Sequence, residues 1–243
     1  MRRFFIQPEQ AKEQRLTLSV EESKHITRVL RLTAGSNLEL IDGSDSVYQA
    51  VITATEPLVE VNITATRKLK PQQVEVRLAQ GILKGRKMDL VIQKSNELGA
   101  DLFIPYHSSR CQGKLDKTEK KRERWQRIAL ESCKQCMRPQ PMQVISPVNF
   151  HDLILQSSNE PGRIKLLFWE EELEQSLQML PDLKEFKGVD IILGPEGGLS
   201  SEEIQLARQH NWQTITLGRR ILRAETAAIA ALTLIQYLAG NLT

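Results

Sequence analysis

The chain has few of the residues that would tie it to an oxidising compartment, a metal or a membrane. It holds only three cysteines, Cys111, Cys133 and Cys136. In a chain with no secretory signature, this odd set argues against a disulfide framework, so free thiols are expected. The Cys133-Lys134-Gln135-Cys136 pair lacks a second pair to complete a zinc site, and the four histidines, His25, His107, His151 and His210, are scattered. No metal is expected. No apolar run reaches the roughly 20 residues a membrane helix needs. The start, Met1-Arg2-Arg3-Phe4-Phe5-Ile6, shows neither an apolar leader core nor a cleavage site, so cytoplasmic residence is the expectation. An excess of one charge is also lacking. The formal net charge of +3 is too small to identify a nucleic-acid partner, and only the placement of the charge can do so.

With 40% hydrophobic and 26% charged residues over 243 positions, the chain can fill globular cores, and its length suits two units. From Arg2 to about Thr66 short alternating runs such as Val47-Tyr48-Gln49-Ala50-Val51-Ile52 predict a small β-rich module. Its single helix is opened by Ser19 with Glu22 three residues on, carries His25, Arg28 and Arg31, and is followed by Gly35. The basic, proline-broken stretch Arg67-Lys68-Leu69-Lys70-Pro71-Gln72-Gln73 reads as a linker. Beyond it strands and helices alternate: Val74 to Leu83, a helix from about Arg86 to Leu98, Leu102 to Pro105, and a basic helix within Lys114 to Cys136. Continuous apolar strands follow at Ile164 to Trp169, Val189 to Leu193 and Thr214 to Leu217, and the chain ends in an alanine-rich helix over 225–239. That rhythm predicts a parallel sheet flanked by helices.

Ligands of such sheets sit beyond the carboxyl ends of the strands, where the loops are unusual. After Val189 to Leu193 comes Gly194-Pro195-Glu196-Gly197-Gly198-Leu199-Ser200, its glycines permitting close backbone approach and Ser200 with Glu203 forming a second capping box. It lacks the Lys-Ser/Thr ending of a P-loop, which disfavours ATP hydrolysis. After Thr216-Leu217 comes Gly218-Arg219-Arg220-Ile221-Leu222-Arg223-Ala224-Glu225-Thr226-Ala227. Three arginines at the mouth of a buried helix need partners or a use. The turn through Lys84, Arg86 and Lys87, and Ser108-Ser109-Arg110 after the next strand, place further basic loops on the same rim. Singly each is explained as a solvated charge. Together they point to an anionic substrate.

These blocks, together with His25 and Arg28-Val29-Leu30-Arg31, Gln80-Gly81 to Lys87-Met88, and Ile92-Gln93-Lys94 with Glu97-Leu98-Gly99, resemble the ribosomal RNA small subunit methyltransferase E family. That family is a branch of the SPOUT methyltransferases, and the likeness runs nearly end to end. The resemblance implies a PUA-like RNA-binding β-barrel over 1–70 and an α/β methyltransferase domain over 74–243. It also implies a trefoil knot over about 164–239 that binds S-adenosylmethionine, and a homodimer. Sequence rules alone predict an ordinary doubly wound sheet, because chains rarely thread themselves.

By the same resemblance the cofactor contacts are expected at Leu167, in the loop near Leu167-Phe168-Trp169, and at Leu193, Gly194, Gly197, Gly198, Leu217, Gly218, Ile221, Leu222, Arg223 and Thr226. The implied reaction is methylation of N3 of a uridine in 16S ribosomal RNA or the small ribosomal subunit. N3 is a poor nucleophile until its proton leaves, so the base must be flipped, deprotonated and aligned. Arg223 and Arg110 are the candidates to stabilise the charge that develops on the ring carbonyls. Glu196, counted with them among the catalytic candidates, and Glu225 are the only carboxylates of these loops, and either is a proton acceptor or structural. RNA contacts are expected from Arg2, Arg3, His25, Arg28, Arg31, Lys84, Arg86, Lys87 and Lys94, with the Lys114 to Arg127 stretch adding phosphate contacts. The rival readings are methylation of a ribose hydroxyl or a transfer-RNA base on the same scaffold, and a non-catalytic ribosome-assembly factor.

Overall fold

The computed structural model describes residues 2–69, 72–112, 118–136, 138–157 and 160–242. It divides into two compact units, one of Met1–Pro71 with Cys133–Pro141, the other of Gln72–Ser132 with Met142–Thr243.

The first unit contains β1 (Arg3–Phe5), β2 (Arg15–Thr17), α1 (Val20–Lys24), β3 (Asn37–Ile41), β4 (Ser46–Ala54) and β5 (Glu60–Lys68). They form one curled sheet in the order β1-β3-β4-β5-β2, parallel only between β1 and β3. Two register slips between β4 and β5, at Gln49/Ala50 and Ile52/Ala54, add the local twist that lets so small a sheet curl over its core. That core gathers Phe4, Leu16, Ile26, Leu38, Leu40, Ile52 and Val61. Ser19 accepts the Glu22 N–H as the helix cap, and α1 runs on into a π-helical turn, His25–Val29, after which Arg31 adopts φ 52°.

Arg3, expected among the RNA contacts, is instead buried at 5% exposure, its Nε 2.7 Å from Glu39 Oε2. Alternation in β1 sends Phe4 into the core and Arg3 to the opposite face beside its parallel partner Glu39, and a guanidinium committed to that buried carboxylate is not offered to phosphate.

The second unit runs β6 (Glu75–Gly81), α2 (Arg86–Glu97), β7 (Leu102–His107), α3 (Thr118–Cys136), β8 (Gln143–Val144), β9 (Val148–Asn149), α4 (Phe150–Gln156), β10 (Arg163–Phe168), β11 (Gly188–Leu193), α5 (Ser201–Gln209), β12 (Gln213–Ile215) and α6 (Ala224–Leu238). The last residues of α3, from Cys133, group with the first unit. Every strand pair is parallel, in the order β12-β10-β11-β6-β7-β8, with β9 also on β7. Alternate residues of each strand serve opposite faces, which is why the strands read as unbroken apolar runs. Ile164, Leu166 and Phe168 of β10 join α2, α3 and α6 in one core, whereas Leu167 joins α4 and α5 in the other.

The loop from β10 to β11 does something an ordinary doubly wound sheet does not. Trp169 N–H donates to Ile215 O at 3.0 Å on one side of the chain leaving β12, and Thr216 N–H donates to Gln175 O at 2.9 Å on the other. Ser176 and Thr216 form a parallel bridge. The segment from β12 to α6 is therefore enclosed by the connection between two neighbouring strands, as a threaded chain must be.

Candidate active site

At the carboxyl ends of β10, β11 and β12 lies a cleft of about 330 Å³, walled by 168–170, 193–196, Gly198, most of 216–225, Ala227 and Lys87. It is the crevice where the topology of parallel sheets places ligands, and its size suits a nucleoside-like molecule.

The loop after β11 owes its path to neighbours on three sides. Gly198, at φ 70°, donates its N–H to Pro195 O at 3.0 Å, closing a tight turn. Ser200 caps α5 by accepting the Glu203 N–H, while Glu203 Oε2 accepts the Ser200 N–H at 2.8 Å. The same Glu203 accepts the Ser109 N–H at 2.8 Å and so brings the 108–110 turn alongside. There Arg110 Nη1 donates to Gly197 O at 3.3 Å. From behind, Gln80 Nε2 donates to Gly194 O at 2.9 Å and Tyr106 Oη to Leu193 O at 2.8 Å.

Space decides which glycines can change. A Cβ on Gly197 would stand 3.0 Å from both the Cβ and the carbonyl oxygen of Arg110, while one on Gly194 would make only ordinary contacts from 3.5 Å. Gly194 therefore has room for a Cβ, and Gly197 does not. Gly197→Val is expected to push the two loops apart and weaken binding of the cleft's ligand about tenfold, roughly 1.4 kcal/mol, as read by titration calorimetry.

The loop after β12 is built differently. Gly218, at φ 105° with open space where a Cβ would be, donates its N–H to Thr216 Oγ1 at 3.1 Å. Arg223 then occupies the N-cap of α6 with extended backbone and no side-chain cap, so the first N–H groups of the helix face the cleft end. Ile221 stands 87% exposed at the rim.

Charge in the cleft is organised by Lys87. Its Nζ lies 3.3 Å from Glu196 Oε1 and 3.8 Å from Glu225 Oε2. Glu196 also accepts the Lys84 N–H at 3.1 Å. Burial alone would raise the Glu196 pKa, but the donors from Lys84, its own backbone and Lys87 hold it below the ordinary carboxylate range.

Of the expected cofactor residues, the cleft gathers Leu193, Gly194, Gly198, Leu217, Gly218, Ile221, Leu222 and Arg223. Leu167 points into the α4–α5 core, and by the strand period its neighbour Phe168 is the one that lines the cleft. Gly197 sits behind the lining, against Arg110, and Thr226 is exposed outside it. Among the expected catalytic residues, Arg223 and Glu196 line the cleft and Arg110 stands one loop away.

Arg2, Arg28 and Arg31 are exposed on the first unit and His25 is half-buried, its ring 6.1 Å from that of Phe4. On the second unit Lys84 and Arg86 are exposed, while Lys94 is tied to Glu97 at 2.7 Å. In the basic helix Arg122 pairs with Glu119 and Arg124 with Asp89, and Lys114 and Lys117 lie outside the described residues. The sequence reading missed Gln80, Gly81 and Tyr106 as the supports of the loop, and Glu170 and Thr216 as lining. Gln80-Gly81 carried a signal in its own motif; Tyr106 carried none.

Among the described residues no group of three or more His, Cys, Asp or Glu could hold a metal, and no helix is long and apolar enough to cross a membrane.

A threaded parallel sheet with a cleft at its strand ends, in a chain that also holds a separate curled-sheet unit, defines a class: RNA methyltransferases. Residues 70–236 match the family profile of the RNA methyltransferase domain and residues 18–63 that of the RNA methyltransferase PUA domain. Ribosomal RNA small subunit methyltransferase E of Bacillus subtilis (strain 168) is 33% identical over 98% of this chain and 96% of its own. The protein of that name from Mesomycoplasma hyopneumoniae is 40% identical over 65% of this chain and 68% of its own. The crystal structure of ribosomal RNA small subunit methyltransferase E from Neisseria gonorrhoeae, bound to S-adenosyl methionine, superposes with a TM-score of 0.89. It is 29% identical, with the whole of both chains covered. The chain belongs to the ribosomal RNA small subunit methyltransferase E family.

Proposed function

We propose that this protein transfers the methyl group of S-adenosylmethionine to N3 of a uridine in 16S ribosomal RNA. The observation that carries the reading is the cleft itself, where three loops meet at the ends of β10, β11 and β12, two of them turning on glycines. The residues present fit the cofactor. Phe168, Leu217 and Leu222 offer apolar walls for an adenine ring, and the backbone of the loops after β11 and β12 offers polar groups to its edge. The mixed charges of Glu170, Arg220 and Arg223 suit a ligand carrying ammonium, carboxylate and sulfonium. When bound, the cofactor supplies a methyl group already activated for displacement.

The chain's own work is to flip and hold the base, remove its N3 proton and oppose the charge left on the ring. Arg223 in the lining is assigned to a uracil carbonyl oxygen, and Arg110, one loop out, to the approaching strand. RNA is gripped by residues 1–70 through Arg2, His25, Arg28 and Arg31, and by the domain over 74–243 through Lys84, Arg86, Lys87 and Lys94. The cofactor segment is assigned to about 164–239. Leu234 and Tyr237 on α6 and Leu90 on α2 are exposed apolar side chains on helices packed together, a face that suits a second copy of the chain. This supports a homodimer, working in the cytoplasm where ribosomal RNA is made.

Primer extension on 16S ribosomal RNA, with and without the protein, tests the reading, because a methyl on N3 blocks pairing and stops the polymerase. Nucleoside mass spectrometry should show 3-methyluridine lost from a deletion strain. A lost 2′-O-methyl or transfer-RNA mark with 3-methyluridine unchanged would favour a sister methylase. Failure to bind S-adenosylmethionine would favour an assembly factor.

A further inference from the structure

The two carboxylates joined by Lys87 are not equivalent. Glu196 Oε1 has a backbone donor at 3.1 Å and the ammonium at 3.3 Å. Glu225, whose side chain is 14% exposed, points into the same cleft. Its Oε2 is shielded from solvent and has no hydrogen-bond partner. Lys87 lies 3.8 Å from it, close enough for charge attraction yet too far for a hydrogen bond. Buried carboxylate oxygens normally have a donor, so an orphan facing a ligand cleft implies that the donor comes with the ligand.

We infer that Glu225 Oε2 is the acceptor of the uracil N3 proton, and that Glu196 serves to hold Lys87 and the loop after β11. The inference rests on the function proposed above. In the step, the N3–H bond breaks as an O–H bond forms on Oε2. The electron pair left on N3 forms the new N–C bond, and the pair of the broken S–C bond stays on sulfur. The carboxylic acid then returns its proton to solvent. Lys87 from α2 sets a positive charge 3.8 Å from Glu225 Oε2 before the step, and Glu196, 3.3 Å from the same ammonium, balances it afterwards. Arg220, Arg223 and Glu170 are the other charged groups of the cleft.

The test compares wild type with Glu225→Gln and Glu225→Asp. The glutamine variant should bind S-adenosylmethionine within about threefold of wild type by calorimetry, while kcat falls roughly 100-fold to 10,000-fold and KM for RNA changes little. Its residual rate should climb about tenfold per pH unit where wild type has levelled off, because only spontaneous ionisation of N3 remains. Glu225→Asp, which keeps a carboxylate, should retain the wild-type profile at reduced kcat. Should the glutamine variant fail to fold, that profile decides: a climb in the aspartate variant where wild type is flat overturns the assignment. So does a glutamine variant with kcat within about threefold of wild type, or one whose loss equals its loss of cofactor affinity. If wild type leaves N3 unmethylated, the parent reading falls first and this one with it.

Discussion

Gly81→Ala is expected to reduce affinity for S-adenosylmethionine about 10-fold to 100-fold, with a smaller loss of stability, although Gly81 is outside the cleft lining. A Cβ at this position would stand 2.6 Å from the backbone nitrogen of Pro195 and 2.7 Å from its Cδ. Those atoms cannot swing aside as a flexible side-chain end can, so either the end of β6 or the Gly194–Pro195 turn must move. Gln80 and Tyr106 fix the carbonyls of Gly194 and Leu193 at 2.9 and 2.8 Å and hold the strand ends in register, which leaves the turn to yield. Overpacking of this kind costs about 1–3 kcal/mol. Because the turn is one wall of the cleft, part of that cost is charged to binding, where about 1.4 kcal/mol is a factor of ten. Calorimetry on the purified variant measures it. An affinity within twofold of wild type would mean that the turn does not shape the site.

That expectation shows where the sequence was legible and where it was not. The parallel sheet could be read from continuous apolar strands such as Val189 to Leu193, and the site from glycines placed just after them. The reason for Gly81 could not, because its constraint comes from Pro195, more than a hundred residues away in the chain. Within the stretch Leu167-Phe168-Trp169 expected near the cofactor, which side chain faces the cleft was not legible: in a strand buried on both faces apolar sequence carries no phase, and only the packing shows Leu167 in the α4–α5 core and Phe168 in the lining. Arg3 failed for a related reason, since Glu39 arrives from β3 by a parallel pairing that no local pattern announces. The threading of the chain ran against the general rule of unthreaded connections and entered only through the family resemblance.

Glu172→Ala should produce the largest loss of stability, about 3 kcal/mol, and loosen the cleft from the side opposite Gly81. Glu172 is 8% exposed in the loop that encloses the end of β12. Its Oε1 accepts the N–H groups of Glu174 and Gln175 at 3.0 and 3.2 Å, and its Oε2 accepts Thr214 Oγ1 at 2.5 Å and Arg208 Nη2 at 3.2 Å. One carboxylate thus ties the loop to the strand it surrounds, next to the Gln175–Thr216 hydrogen bond. Removing it leaves the donors of Glu174, Gln175 and Thr214 unpaired, at about 1 kcal/mol or more each, whereas Arg208 is half-exposed and keeps its hydrogen bond to Thr214 Oγ1 at 2.8 Å. For a unit of this size about 3 kcal/mol corresponds to a melting temperature roughly 6–12 °C lower. Burial would raise the pKa of Glu172, but the hydrogen bonds from Thr214, Glu174 and Gln175, and the charge of Arg208, bring it below its ordinary 4.5. A depressed carboxylate stabilises the fold above its unfolded-state pKa and loses that contribution as pH falls through the folded-state value. The gap in melting temperature between wild type and Glu172→Ala should therefore be constant near neutral pH and narrow only below about pH 4.5. A gap that persists undiminished well below pH 4.5 would assign the stabilisation to the packing of the Glu172 side chain rather than to its charge.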